Sequence, residues 1–250
     1  VHVVYNGIDP EPLLEAVDRA SMVEALGLRA ECPHVGVVAR LSEEKGIEYF
    51  LRAAQLLTRK GVQADWLVVG DGPLYADLVR LAHSLGITGE THFLGQRADV
   101  QAVLSVLDVL VVPSLSESFS LIGAKAALLG VPIVASRVGG LPEVIPESMA
   151  RFVPPGDAQA LARAIGAALD DMAKQGPSLA EDLGLPAGAL ALAARTGLDL
   201  DDEMARQYVI GVSEDDPRVA LAERFAPDRM ARQVHEVYER VLESDRGRPA

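Results

Sequence analysis

The sequence predicts an α/β domain built on a doubly wound parallel sheet of about six strands. Short apolar runs recur along the first two thirds of the chain, as in VGVVARL at 35–41, WLVV at 66–69 and DVLVV at 108–112. Uninterrupted runs of this kind belong to strands covered on both faces. Between them, apolar residues return at helical spacing, and Gly, Pro and Asp fall at the changeovers. Strands alternating with helices at this rhythm make a parallel sheet with helices on both sides, which binds ligands outside the carboxyl ends of its strands.

Taken in order, residues 1–5 (VHVVY) read as a short strand closed by the Asn6-Gly7 turn, and 11–28 as partly helical. After the strand at 35–41, Ile47, Phe50, Leu51, Ala54 and Leu57 mark a helix ended by Gly61. The strand at 66–69 runs into Gly70-Asp71-Gly72-Pro73, with Pro73 at the start of a helix carrying Leu74, Leu78, Leu81 and Leu85. This turn imitates a dinucleotide fingerprint but lacks its third glycine. A strand at 91–94, a helix at 99–107 and a strand at 108–112 follow.

The stretch 113–136, PSLSESFSLIGAKAALLGVPIVAS, then forms a helix between two strands. Ser114, Ser116 and Ser118 are candidate N-caps, and the first helical N–H groups are assigned to Ser118, Phe119, Ser120 and Leu121. Such a helix start, at the carboxyl end of a strand, favours an anion. A strand at 151–153 and a helix bearing Leu161, Ile165, Ala168 and Leu169 close the regular pattern. From 171 to 226 it lapses into what reads as a helical, acidic insertion, and within 199–216 Asp199, Asp201, Asp202, Glu203, Glu214, Asp215 and Asp216 stand against the single Arg206. Those acids read as a solvated loop rather than a metal site. Residues 227–250 carry a last amphipathic helix with Met230, Val234, Val237, Tyr238 and Val241 on one face. The expected organisation is therefore a sheet domain at 1–170, an insertion at 171–226 and a returning helix at 227–250.

Composition excludes several classes. The chain has 250 residues, 49% hydrophobic and 24% charged, and a net charge of −13. That balance argues against nucleic acid or an anionic membrane as partner, since both reward clustered cations. Cys32 is the single cysteine, and His2, His34, His83, His92 and His235 are scattered without metal spacing. A reducing, cytoplasmic setting is expected, with no transmembrane segment and no metal. The chain opens on Val1 rather than Met and reads as a fragment.

Two cations flank the first strand-to-helix turn. Arg40 ends the strand and Lys45 enters the helix, a fork and a point charge suited to clamping a diphosphate. The alternative is solvated loop charge, with Lys45 paired to Glu43 or Glu44. Glu117 stands just before the 113–136 helix, placed to accept from sugar hydroxyls or simply to complement the helix dipole.

The strings YNGID at 5–9, ARLSEEKGIE at 39–48, VGDGP at 69–73, FLG at 93–95 and the 113–136 stretch followed by GGLPEVI occur in an order that resembles the donor-binding, C-terminal half of retaining GT-B glycosyltransferases of the glycosyl transferases group 1 family. The resemblance is collinear to about residue 169 and resumes in the last helix. It implies a Rossmann-like domain that binds a UDP- or GDP-linked sugar for transfer to an acceptor, in a bacterial carbohydrate-synthesis setting. It further implies that Arg40 and Lys45 hold the diphosphate, that Glu117 contacts the donor sugar, that Ser118, Phe119, Ser120 and Leu121 offer backbone N–H groups, and that the backbone from Gly95 to Arg97 faces the base. Glu143 falls in a family motif and is assigned only loop order.

Two departures stand out. Where the family has a second glutamate that accepts from the ribose, eight positions after Glu117, this chain has Lys125, which can donate but not accept. That leaves open a non-catalytic binding or scaffold module with a degenerate site. The family fold also has two such domains facing a cleft, and this chain supplies one, without the N-terminal acceptor-binding domain. An epimerase or a phosphorylase on the same architecture is the more distant alternative.

Overall fold

A computed structural model describes residues 6–8, 17–175 and 217–234. Its centre is a six-stranded, all-parallel sheet: β1 (His34–Val38), β2 (Asp65–Val69), β3 (Thr91–Gly95), β4 (Val109–Val112), β5 (Ile133–Ser136) and β6 (Ala150–Val153). The strand order is β3-β2-β1-β4-β5-β6, so the chain winds outward from β1, then returns to start again at β4. The crevice where the order reverses lies between the carboxyl ends of β1 and β4.

Among the described residues eight α-helices connect or flank these strands: α1 (Arg19–Ala25), α2 (Ile47–Arg59), α3 (Tyr75–Leu85), α4 (Val100–Val106), α5 (Leu121–Leu128), α6 (Leu141–Val144), α7 (Ala158–Gln175) and α8 (Pro217–Arg224). A further helical stretch covers 227–234. The period of two along each strand divides the core. In β2, Trp66 and Val68 join Phe50 and Leu57 of α2 and Ile165 of α7 on one face. Leu67 and Val69 join Val103 and Leu104 of α4, Leu128 of α5 and Phe225 on the other. Trp66 meets Phe50 edge to face at 6.2 Å, and its indole N–H donates to Thr58 Oγ1 at 3.2 Å. β1, β2, β4 and β5 are therefore buried on both sides, which is why they lack polar alternation.

The expected strands are all present from 34 onward, with bounds shifted by one to three residues. Four details differ from the sequence reading. α5 begins at Leu121 rather than Ser118, because the capping hydroxyl is that of Ser120, which accepts from the Gly123 N–H at 3.1 Å. α3 begins at Tyr75, two residues past Pro73. α7 continues to Gln175, beyond the point where the apolar pattern lapses. Of the 11–28 segment only Arg19–Ala25 is helical among the described residues, capped by Asp18.

The strand expected at 1–5 and the acidic cluster at 199–216 lie outside the described residues, as do Val237, Tyr238 and Val241. Met230 is half-buried and its sulfur faces the Gly7 N–H at 3.0 Å, while Val234 is exposed. The Ile8 N–H donates to the Phe225 carbonyl at 2.8 Å, so residues 6–8 meet the end of the chain's described part. No helix among the described residues is long and apolar enough to cross a membrane.

Candidate functional site

The loops after β1 and β4 are joined by main-chain contacts. The Leu115 N–H donates to the Glu44 carbonyl at 2.8 Å. Gly46, left-handed at φ 61°, lies so close to Pro113 that any side chain would overlap the Pro113 carbonyl oxygen. Between them Glu43–Lys45 form one turn of 3-10 helix, with the Ser42 hydroxyl donating to Glu44 Oε1 at 2.5 Å. That hydroxyl, the Glu44 backbone N–H and the charges of Lys45 and Arg40 hold the exposed Glu44 carboxyl below its ordinary range.

This turn aims Lys45 across the crevice. Its Nζ lies 2.6 Å from Glu117 Oε2, with side-chain exposures of 24% and 10%. The Ser114 hydroxyl donates to the same oxygen at 3.4 Å. Neither Glu43 nor Glu44 takes the lysine, so the local pairing that the sequence offered as an alternative gives way to one that spans 72 positions. Arg40 stands exposed beside this pair, its carbonyl accepting from the Ser42 N–H at 3.0 Å and its guanidinium making no hydrogen bond or salt bridge among the described residues.

Glu117 is fixed from behind by Gly139 and Gly140. The Gly140 N–H donates to the Glu117 carbonyl at 3.0 Å. A Cβ on Gly139 would overlap that carbonyl oxygen, and one on Gly140 would overlap the Ser118 carbonyl oxygen. The diglycine is therefore the backing of the acid, a role that sequence order alone did not disclose.

Two cavities open at the crevice. One of about 250 Å³ is lined by Lys45, Ser114, Glu117, Phe119 and Ser120. The other, of about 650 Å³, is lined by Gly70, Asp71, Gly72, Gln96, Arg97 and Lys125. Arg40, Leu121 and Ile122 line both, so Arg40 marks their junction. With Gly123 bound to Ser120, the N–H groups of Leu121 and Ile122 are the first-turn donors that have no acceptor within the helix.

The predicted residues thus fall into one neighbourhood, unevenly. Arg40, Lys45, Glu117, Phe119, Ser120, Leu121, Arg97 and Lys125 line the two cavities, whereas Gly95 and Ser118 line neither. Gly95 instead accepts from the Gly70 N–H at 2.7 Å, and Ser118 is exposed in the loop before α5. Phe119 also stacks edge to face on Phe225 at 5.4 Å. Arg97 is tied to Asp99 by two hydrogen bonds, at 2.8 and 2.6 Å, which raise the guanidinium pKa and lower that of the carboxyl. Ser118 precedes the helix, whereas Leu121 and Lys125, four positions apart, lie on one face of α5. Glu143 is exposed in α6, and its carbonyl accepts from Arg224 at 2.6 Å. Gln96, Ser114 and Asp71 were not foreseen. Among the described residues no group of three or more His, Cys, Asp or Glu could hold a metal.

A doubly wound Rossmann-like sheet with cations and a helix start gathered at its switch point defines the class. Residues 32–171, more than half of the chain, match the family model described as Glycosyl transferases group 1, and the chain belongs to that family. The 2-deoxystreptamine glucosyltransferase of Streptomyces kanamyceticus is 34% identical over 186 residues, covering 72% of this chain and 47% of that protein. A D-inositol 3-phosphate glycosyltransferase of Mycobacterium leprae is 36% identical over 148 residues, covering 58% and 34%. The fold is shared with Anabaena HepE, solved in complex with UDP and glucose, at a TM-score of 0.72 and 22% identity over 95% of this chain and 56% of that one. It is also shared with the C-terminal domain of LpcC, a glycosyl transferase group 1 family protein of Francisella tularensis, at a TM-score of 0.60 and 21% identity over 74% and 96%. The chain spans about half the length, or less, of the curated relatives it matches.

Proposed function

We propose that this chain is the donor-binding domain of a retaining hexosyltransferase, taking a UDP- or GDP-linked sugar and presenting it to an acceptor held by a domain N-terminal to it. The Lys45–Glu117 ion pair carries this reading, because it spans the switch point beside Arg40, where a parallel sheet binds its ligand. A linear donor fits the two joined cavities with its diphosphate at Arg40, its sugar towards Glu117 and its nucleoside towards Gln96 and Arg97.

On this reading Lys45 donates to Glu117 through one proton and keeps two for a phosphate oxygen. Glu117 offers its remaining oxygen to sugar hydroxyls. As the glycosidic bond breaks, charge grows on the departing diphosphate. Arg40, Lys45 and the N–H groups of Leu121 and Ile122 stabilise it from fixed positions. With that charge met by side-chain cations and a helix start, the transfer needs no metal. The UDP bound to the Anabaena neighbour supports a nucleotide donor, and the glucosyltransferase of Streptomyces kanamyceticus supports a role in glycosyl transfer. Coverage of 47% and 34% of these two relatives supports the partner domain.

The test is a thermal-shift and calorimetric titration with UDP, GDP, ADP and their sugar conjugates, on the wild-type chain and on Arg40→Ala. A ligand at a hundred times its dissociation constant adds about 2.7 kcal/mol of stability, or roughly 2 to 4 °C per kcal/mol in a domain of this size. One nucleotide that stabilises the wild type and not Arg40→Ala is the expected result. Absence of binding by any of them sinks the reading.

A further inference from the structure

We propose that Lys125 is a further diphosphate-binding cation, meeting the donor's phosphates alongside Arg40 and Lys45. This deepens the donor-site reading and rests on it. Three cations line the larger cavity: Arg40, Arg97 and Lys125. Arg97 is committed to Asp99 through both ends of its fork. The Arg40 guanidinium and the Lys125 ammonium make no hydrogen bond or salt bridge among the described residues, although the Arg40 charge acts on the exposed Glu44 carboxylate. In the smaller cavity Lys45 is already balanced by Glu117 at 2.6 Å. The site therefore presents two cationic side chains without a salt-bridge partner among the described residues, and a nucleoside-diphosphate sugar carries two negative charges on its phosphates.

The remaining lining strengthens the match. The apolar part of the cavity's lining is Val38, Val69, Val100, Leu121 and Ile122. Its one carboxylate, Asp71, is exposed and folded back on itself, with Oδ1 accepting the Gly72 N–H at 2.7 Å. A ligand seated there strips water from the half-buried Lys125 ammonium. A neutral ribose would leave that charge uncompensated, whereas a phosphate oxygen satisfies it. α5 places Lys125 one turn beyond Leu121, which lines both cavities with Arg40, so the larger cavity receives one cation from the loop after β1 and one from the helix after β4.

The experiment measures dissociation constants of uridine, 5′-UMP, UDP and uridine 3′-monophosphate, with the guanine series in parallel, for the 250-residue chain and for Lys125→Met, Lys125→Glu and Lys125→Arg. Lys125→Met is expected to weaken UDP or GDP about ten- to a hundredfold and to leave the nucleoside within twofold, since one charge-assisted hydrogen bond is lost. Lys125→Glu weakens it further, Lys125→Arg retains most affinity, and the salt dependence of UDP binding falls in Lys125→Met. Tighter binding by Lys125→Glu, equal losses for nucleoside and diphosphate, or a loss confined to the 3′-phosphate would each overturn the assignment. Binding of UDP or GDP that is indifferent to Lys125→Met sinks this inference alone; a wild type that binds no nucleotide sinks the donor-site reading as well.

Discussion

Gly139 lies against the backbone of Glu117 so closely that a methyl group on it would occupy the space of the Glu117 carbonyl oxygen. The glycine also holds φ +48°, a conformation that L side chains adopt at a cost. Gly61 has a similarly positive φ, +88°, but nothing within 4 Å of where a side chain would start. Gly61→Ala is therefore expected to cost about 1 to 2 kcal/mol, from conformation alone. Gly139→Ala should cost at least 1 kcal/mol more, from the overlap, and should weaken sugar-nucleotide binding by moving Glu117. Urea melts of the two variants, with a UDP-sugar titration, check this; equal destabilisation would mean the close approach is relieved without penalty.

The Lys45–Glu117 pair should separate sugar recognition from phosphate recognition. Glu117→Gln preserves shape and leaves the ammonium able to bind phosphate, so UDP affinity is expected to stay within threefold. Any preference for a UDP-sugar over UDP should fall about tenfold, near 1.4 kcal/mol. Lys45→Met leaves a carboxylate that is 10% exposed without its counterion and should lower stability by about 1 to 3 kcal/mol. A double-mutant cycle measured by thermal melts is expected to give a coupling above about 0.5 kcal/mol. Additive single-variant costs would mean the two charges do not interact in solution.

Asp65, fully buried at the start of β2, predicts the acid limb of stability. Burial pushes its carboxyl up, but hydrogen bonds from the Arg29 backbone N–H and guanidinium, with His92 adding to them, carry it below the ordinary value of 3.8. A depressed native pKa contributes stability that is complete above the unfolded value and is lost as pH falls through the native one. Melting temperature should therefore hold at neutral pH and fall below about pH 4. Asp65→Ala should cost about 3 kcal/mol at pH 7 by leaving Arg29 and His92 without their anion, and should flatten the acid limb. An unchanged limb in the variant would assign it to other carboxylates.

The strands were legible because burial on both faces leaves an unbroken apolar signature, as in Val109 to Val112. Helix α2 was legible through Phe50, Leu51, Ala54 and Leu57, which the structure buries together. The start of α5 was misplaced because Ser114, Ser116, Ser118 and Ser120 are chemically equivalent caps, and the sequence alone does not say which hydroxyl meets the helix N–H groups. The neighbourhood of Arg40, Lys45 and Glu117 followed from the sheet's ligand edge. The partner of Lys45 did not, since Glu43 and Glu44 are nearer in sequence and only the 3-10 turn points the ammonium away from them. The Arg29–Asp65–His92 cluster left no local trace, for its members come from three separate segments.

The crevice is framed by main chain meeting main chain: Gly46 on Pro113, Gly70 on Ala39, Gly139 on Glu117. A rim defined in this way stores its shape in residues that have no side chain to vary. Positions 96, 97 and 125 hang on that frame without holding it up, so their chemistry can be exchanged one substitution at a time. Selection, or an engineer, gains a socket whose contacts can be recoded while its outline is kept. The appearance of a cation at 125 is what such a socket permits: a change of sign in the ligand's surroundings that the fold itself does not register.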